Sequence, residues 1–298
     1  MDKAYHNYLS SDVINKINNI YLRAKLAVEG FIIGLHKSPY QGFSIEFSEH
    51  RPYSFGDEIK HIDWKLMAKT DKLFIKQFEE ETNLKCYILF DKSTSMDYSS
   101  KNISKFEYSK TICAALSYLM IKQQDAVGLT LFDKKINQSI PPRSNKSHLN
   151  TLLNILHHCS IEGETRMSNI LHQLAEKIKK RGLIILISDL MDNQEDVIKG
   201  LRHFRHKGHE VIVFHILDNQ ELDFNFNKGT NFIDLETDDS ITVDPRQIRK
   251  QYKKAMSIFC NEYKKQCRKN NIDFIQVKTS DSIDKSLIGY LLKRKKMY

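Results

Sequence analysis

The sequence predicts an α/β protein: a mostly parallel, doubly wound, Rossmann-like sheet with an N-terminal α+β extension. Three observations predict it. From Cys86 onward, short runs of Val, Ile, Leu and Phe recur without polar alternation, over residues 86–90, 126–132, 183–188 and 210–217. Such runs read as strands buried on both faces. Between them lie segments with apolar residues at helical spacing, as the crossovers of a parallel sheet require. The earlier residues break this rhythm, so the chain divides into an extension over residues 1–84 and a main domain over 85–298.

In the extension, Ile14, Ile17, Ile20 and Tyr21 or Ala24 share one side of a helix predicted over 13–27. After Gly30 and Gly34, alternation over 43–47 and 73–78 reads as β. Between these strands lies RPYSFGDEIKHIDW, where Gly56-Asp57 reads as a turn and Asp57 as the cap of a short helix running towards Trp64. Trp64, the single tryptophan, and Tyr53 are expected to glue the extension to the main domain. The functional reading of the same block is a second partner surface, with Arg51, Lys60 and Lys65 facing an acidic groove.

The main domain reads in order. A strand over 86–90 leads to a helix at Lys105–Lys122, with Ile112, Ala115, Leu116, Leu119 and Met120 at helical spacing. A strand over 126–132 turns at Asp133-Lys134-Lys135 into an antiparallel strand over 136–140, closed by Pro141-Pro142. Helices follow over 148–158 (Leu149, Leu152, Leu153 and Leu156 on one face) and 168–180, the second capped by Ser168 and ended by Gly182. The most apolar strand spans 183–188. Then come a helix over 195–206, strands over 210–217 and 232–235, a long basic helix over 245–270 and a strand over 272–277.

Composition narrows the function classes. With 41% apolar and 28% charged residues, the chain has enough apolar surface for a packed core. The formal net charge is +9, with a cluster at Lys293-Arg294-Lys295-Lys296 that reads as a solvated, frayed tail. Aromatic residues are not interleaved with the basic ones as a base-stacking platform needs, which argues against nucleic acid. The five cysteines form no CxxC pair and suit reduced thiols in a cytoplasm. The opening MDKAYHNYLSSDV lacks the apolar core of a signal peptide. No stretch approaches the roughly 20 apolar residues that span a bilayer.

Three segments carry the chemistry. Asp91-Lys92-Ser93-Thr94-Ser95 follows the first core strand, Gly163-Glu164-Thr165 precedes a helix, and Ser188-Asp189 ends the most apolar strand. In the predicted sheet their loops emerge at one edge, where doubly wound sheets bind ligands. Asp91, Ser93, Ser95, Thr165 and Asp189 then form a hard, oxygen-only donor set suited to Mg²⁺, or to Mn²⁺ or Ca²⁺. Two acids leave the ion's charge nearly balanced, and neutral hydroxyls leave a position for a carboxylate from outside. Each segment alone also reads as an ordinary turn or helix cap; the conjunction favours the metal site.

The spacing Asp91-x-Ser93-x-Ser95, then a loop threonine, then a strand-ending aspartate, resembles the metal-ion-dependent adhesion site (MIDAS) of von Willebrand factor A domains. Arg51-Pro52-Tyr53, Gly56-Asp57, His61-Ile62-Asp63-Trp64, Ala68-Lys69-Thr70 and Gln77-Phe78-Glu79-Glu80-Glu81 resemble the bacterial domain-of-unknown-function 58 family. Further matches are Leu131-Phe132, Pro141-Pro142, Arg181-Gly182, Ser188-Asp189-Leu190 and Asp234-Leu235-Glu236-Thr237. The likeness covers nearly the whole chain. It departs at Lys60 and Lys69, where arginine is usual; charge is kept but bidentate pairing is not. The resemblance implies a cytoplasmic, non-enzymatic binding protein. It also implies work with a MoxR-type AAA+ ATPase in chaperone-like remodelling or maturation of protein clients.

Other candidates read as weaker. His203, His206 and His209 are three apart, but Gly208 ends the helix before the last, and no cysteine or acid completes a tetrahedral zinc set; they read as a solvated face. His157 and His158 are adjacent and diverge. Cys260 and Cys267 read as core packing. A metal-dependent phosphohydrolase would start from an aspartate like Asp91 but needs a second acid at position 93, which is serine. No GxxxxGK[ST] loop is present. A nucleic-acid-binding protein, through the basic stretch over 253–296, is the remaining alternative, with a steep salt dependence as its signature.

Overall fold

The apolar runs form the middle of a six-stranded sheet. The computed structural model describes residues 17–36, 50–53, 64–76, 84–101, 103–161, 163, 167–226, 230–233 and 240–297. In chain order the elements are α1 (Ile20–His36), β1 (His50–Pro52), α2 (Trp64–Thr70), β2 (Phe74–Lys76), β3 (Lys85–Asp91), a 3₁₀ turn (Thr94–Asp97), α3 (Lys105–Lys122), β4 (Ala126–Phe132), β5 (Ile136–Arg143), α4 (Lys146–His158), α5 (Met167–Lys177) and β6 (Leu183–Ser188). They continue with α6 (Gln194–His206), β7 (Glu210–Leu217), α7 (Asn219–Asp223), β8 (Thr230–Ile233), β9 (Ser240–Val243), α8 (Pro245–Lys269), β10 (Asp273–Lys278) and α9 (Ile283–Met297).

The sheet order is β10-β7-β6-β3-β4-β5. All neighbours run parallel except β4 and β5, which are antiparallel as the sequence suggests. Read from the β5 edge and counted in chain order, the strands lie third, second, first, fourth, fifth, sixth. This is the doubly wound arrangement whose winding reverses between β3 and β6. Alternate residues of β3 divide the core. Ile88 and Phe90 face α1, α3, α4 and α9, while Leu89 faces α5, α6 and α8.

Several expected elements differ. The first helix was expected to stop at residue 27; it runs to His36 through Gly30 and Gly34, and residues 13–16 lie outside the described residues. Ala24, Ala27, Val28 and Phe31 are buried in the core shared with α3. Burial of that stripe outweighs the ~1 kcal/mol that each glycine costs a helix. Arg23 fastens the same face. Its Nε donates to the Ile17 carbonyl at 2.7 Å, and its Nη1 lies 3.3 Å from Thr111 Oγ1 and 3.4 Å from Glu107 Oε2. The alternating stretch over 43–47 and the Asp57 cap lie outside the described residues. Helix α2 begins at Trp64, which is 56% exposed and so is not the buried glue expected of it.

β5 continues past Pro141-Pro142 to Arg143 instead of ending there. It is an edge strand, where a missing N–H costs no ladder bond. Gly182 does not cap a helix, because α5 has already ended at Lys177. A Cβ at Gly182 would stand 2.1 Å from the Lys85 carbonyl oxygen, so this glycine lets two chains approach. Ser168 lies inside α5, its hydroxyl 3.2 Å from the Asp196 carbonyl. The expected strand over 232–235 is β8, paired antiparallel with β9 in a separate sheet, with Asp234 and Leu235 outside the described residues. The basic cluster over 293–296 belongs to α9, which buries Ile283, Leu287, Tyr290 and Leu291. Lys293, expected in a frayed tail, pairs with Glu210 and with Asp273 at 2.9 Å. His209 is buried, its Nε2 3.2 Å from the Ile178 carbonyl, so it is no part of a solvated face.

Gly182→Ala is expected to lower the unfolding free energy by about 2 kcal/mol, since the added methyl meets backbone rather than a movable side chain. Urea unfolding measures it; an unchanged midpoint would show that the β3–β6 contact yields freely.

Candidate functional site

Between β3 and β6 the connections leave in opposite directions, which opens a crevice beyond the strands' carboxyl ends. Asp91 ends β3 and Ser188 ends β6, so register alone brings both residues to this crevice. The Ser188 hydroxyl donates to Asp91 Oδ2 at 2.6 Å, and the Ser93 amide donates to Asp91 Oδ1 at 3.0 Å. The turn that follows brings the Ser93 and Ser95 hydroxyl oxygens to 3.1 Å from each other. Thr94 turns away, its amide and hydroxyl donating to the Gly163 carbonyl at 3.0 and 2.8 Å. Gly163 has φ +73°, a backbone state that glycine adopts freely, and it presents that carbonyl to Thr94. The loop expected to carry Thr165 therefore starts beside the serine turn. Thr165 itself lies outside the described residues.

The turn after β6 is held from three sides. The Leu190 amide donates to Ser188 Oγ at 2.9 Å, His215 Nε2 donates to the Asp189 carbonyl at 3.0 Å, and the Tyr263 hydroxyl donates to the Leu190 carbonyl at 3.1 Å. Leu190 has φ +58°, a left-handed state costing on the order of 1 kcal/mol that these three bonds hold in place. Burial keeps His215 neutral, its pKa lowered to about 4 against the pull of nearby Asp189.

An acid stands at the carboxyl end of each of four adjacent strands, and their pairing differs. Asp133, after β4, lies 3.5 Å from Lys92 Nζ and accepts from Asn137 at 2.9 Å. Asp218, after β7, caps α7 and accepts from Thr279 at 3.1 Å. Asp189, after β6, takes the Lys105 ammonium at 2.7 Å. Among the described residues, Asp91 has amide and hydroxyl donors and no cation. Its pKa is pushed up to about 7, first by burial and then by the charge of Asp189, while the bonds from Ser188 and Ser93 pull it down.

Sequence reasoning named Asp91, Ser93, Ser95 and Asp189 for this place, and the structure brings them to one crevice. It missed Lys105, Glu221, His215 and Tyr263. Lys105 opens a helix, where the macrodipole disfavours a cation, an oddity that the sequence shows without naming a partner. For Glu221 the signal was the Asp218–Glu221 capping box.

The oxygen set can be tested against a small divalent ion. Adjacent ligands of octahedral magnesium stand ~2.9 Å apart, as ideal geometry at 2.0–2.1 Å requires. The Ser93–Ser95 separation fits that edge. Among the described residues no three His, Cys, Asp or Glu side chains converge as a metal-binding group. Any ion here would thus depend on the hydroxyls. That edge fits, beside Asp91 and Asp189; the Lys105 ammonium on Asp189 is the feature that an adhesion site would not require.

Sheet order, an antiparallel edge strand and an oxygen-lined crevice at the switch point define a von Willebrand A-like α/β domain. The chain belongs to the family described as "Protein of unknown function DUF58", whose sequence profile matches residues 49–258. An uncharacterised protein of Mycobacterium tuberculosis is 22% identical over 212 residues, covering 70% of this chain and 66% of that protein. The match thus spans slightly less than two thirds of that relative. The conserved hypothetical protein BatB from Bacteroides thetaiotaomicron superposes with a TM-score of 0.50 at 14% identity, over 72% of this chain and 100% of that one. An aerotolerance-related membrane protein from Bacteroides fragilis gives 0.49 at 17% identity, over 70% and 99%. At such identities the BatB likeness speaks for the fold. Among the described residues no helix is long and apolar enough to cross a membrane.

In protein stripped of divalent cations, folded Asp91 keeps its proton up to about pH 7, while an unfolded aspartate releases it near pH ~4. The folded chain then binds more protons across that window, so stability falls as pH rises through it. Wild type should lose up to ~1.4 kcal/mol per pH unit there relative to Asp91→Asn. Denaturant titrations at stepped pH measure this; equal slopes in the two proteins would refute it.

Proposed function

We propose that the chain is a non-enzymatic protein-binding module whose crevice takes a divalent cation, Mg²⁺ first and Mn²⁺ or Ca²⁺ also, to grip a partner's carboxylate. The observation that carries this reading is the pair of hydroxyls 3.1 Å apart beside Asp91, the strand-end acid that lacks a cationic partner among the described residues. Asp91, Ser93, Ser95, Thr165 and Asp189 would hold the ion. Bound there, it would supply a hard Lewis acid with room for an outside oxygen.

The chain's own groups prepare that role. Ser188 and the Ser93 amide orient Asp91, and His215 and Tyr263 hold the turn that carries Asp189. Hydrolysis is disfavoured by the same geometry. His215 directs its Nε2–H at a backbone carbonyl and packs among Phe259, Tyr263 and Phe274, and a serine stands where a phosphohydrolase of this type needs a second acid.

The proposed partners are a MoxR-type AAA+ ATPase and a protein client offering Asp or Glu, in chaperone-like remodelling or maturation. The family resemblance supports the ATPase; the chemistry of the crevice supports the acid. Five free thiols suit work in a reducing cytoplasm.

Tagged chain should recover an AAA+ ATPase in magnesium and lose it in EDTA. Asp91→Ala and Ser93→Ala should each weaken recovery at least tenfold with an unchanged circular dichroism spectrum. Recovery that is indifferent to EDTA and to both variants would refute metal-dependent gripping.

A further inference from the structure

Lys105 is the first residue of α3, where the helix dipole opposes a cation, yet it is only 1% exposed. Its Nζ lies 2.7 Å from Asp189 Oδ2 and 2.6 Å from Glu221 Oε1, with the Tyr98 ring centre 5.9 Å away. A buried ammonium is tolerated only where carboxylates offset its lost hydration. Here the two acids differ in kind. Asp189 belongs to the oxygen set of the crevice. Glu221 belongs to the wall: its Oε2 accepts from the Asp218 amide at 2.7 Å in the capping box of α7, which keeps Oε1 on Lys105.

We propose that Lys105 is a tethered cation that competes with a divalent ion for Asp189, and that Glu221 is the acid onto which its ammonium withdraws when the ion binds. This rests on the metal reading above and deepens it. Asp91, Asp189 and Glu221 bring three negative charges when ionised, and Lys105 removes one. The remaining two match one divalent ion. A loaded crevice is then neutral and accepts a partner's carboxylate without net repulsion. Without Lys105 the loaded crevice would be anionic. Lys105 therefore weakens ion binding while keeping the site receptive to an acid.

The test uses the full chain and Mn²⁺ alone, following the free-ion electron paramagnetic resonance signal. Wild type should bind one Mn²⁺. Lys105→Met should bind it roughly tenfold tighter or more, since the repulsion between two nearby cations is gone. Glu221→Gln should bind it several-fold more weakly, because Lys105 loses its refuge and stays on Asp189. Opposite directions are not what damage to the fold produces. Should Lys105→Met fail to fold with its acids unpaired, Glu221→Gln carries the test alone, since it leaves Lys105 a charged partner. If wild type binds Mn²⁺ and the variants bind it equally well, the tethered-cation role is overturned and the metal site stands. If no protein binds Mn²⁺, both fall.

Discussion

Two carboxylates share one buried crevice, and that constraint organises the rest of the site. Asp91 and Asp189 approach because β3 and β6 are hydrogen-bonded neighbours that end at the same level. Neither carboxylate is solvated, and like charges in such a place do not both stay ionised without a cation. The chain answers asymmetrically: Asp189 has Lys105, whereas Asp91 has only hydroxyl and amide donors among the described residues, and burial beside Asp189 raises its pKa. An oxygen-lined site with one uncompensated acid is poised to take positive charge from outside.

The rigid surroundings make that poise specific. The serine turn is fixed by Asp91 and by the Gly163 carbonyl, and the turn through the left-handed Leu190 by side chains from β6, β7 and α8. Strands buried on both faces cannot slide, because a shift of one residue would exchange the two cores. Helix α1 adds to this rigidity from an unexpected quarter. Residues upstream of the sheet pack into its core through Ala24, Val28 and Phe31, and Arg23 reaches Glu107 of α3, two residues beyond Lys105. The helix that carries the buried lysine is thus braced on both sides.

Most of the sheet was legible in the sequence because buried parallel strands have no alternative reading. Residues such as Leu183, Ile184, Ile185, Leu186 and Ile187 cannot face water on either side. Helix α3 spans the residues its spacing indicates, since its buried face is wide. The errors fall where local propensity competes with packing. Gly30 and Gly34 look like helix breaks but lie in a helix whose other face is buried. Gly182 looks like a cap but serves a close approach. Pro141-Pro142 looks like a strand end but sits on an edge with no bond to lose.

By itself, the sequence determined the period of each element, the acids and hydroxyls that follow the core strands, and hence the family and the doubly wound class. These are local properties: they depend on residue type and spacing within a few positions. The tertiary structure alone decided what each acid meets. Asp91, Asp133, Asp189 and Asp218 look alike in the chain, each following a strand, yet one has no cation among the described residues, two have lysines and one caps a helix. Lys105 and Glu221 are 116 residues apart, and nothing in their neighbours foretells the contact. Charge compensation is a property of distance in space, set by how the helices pack over the sheet.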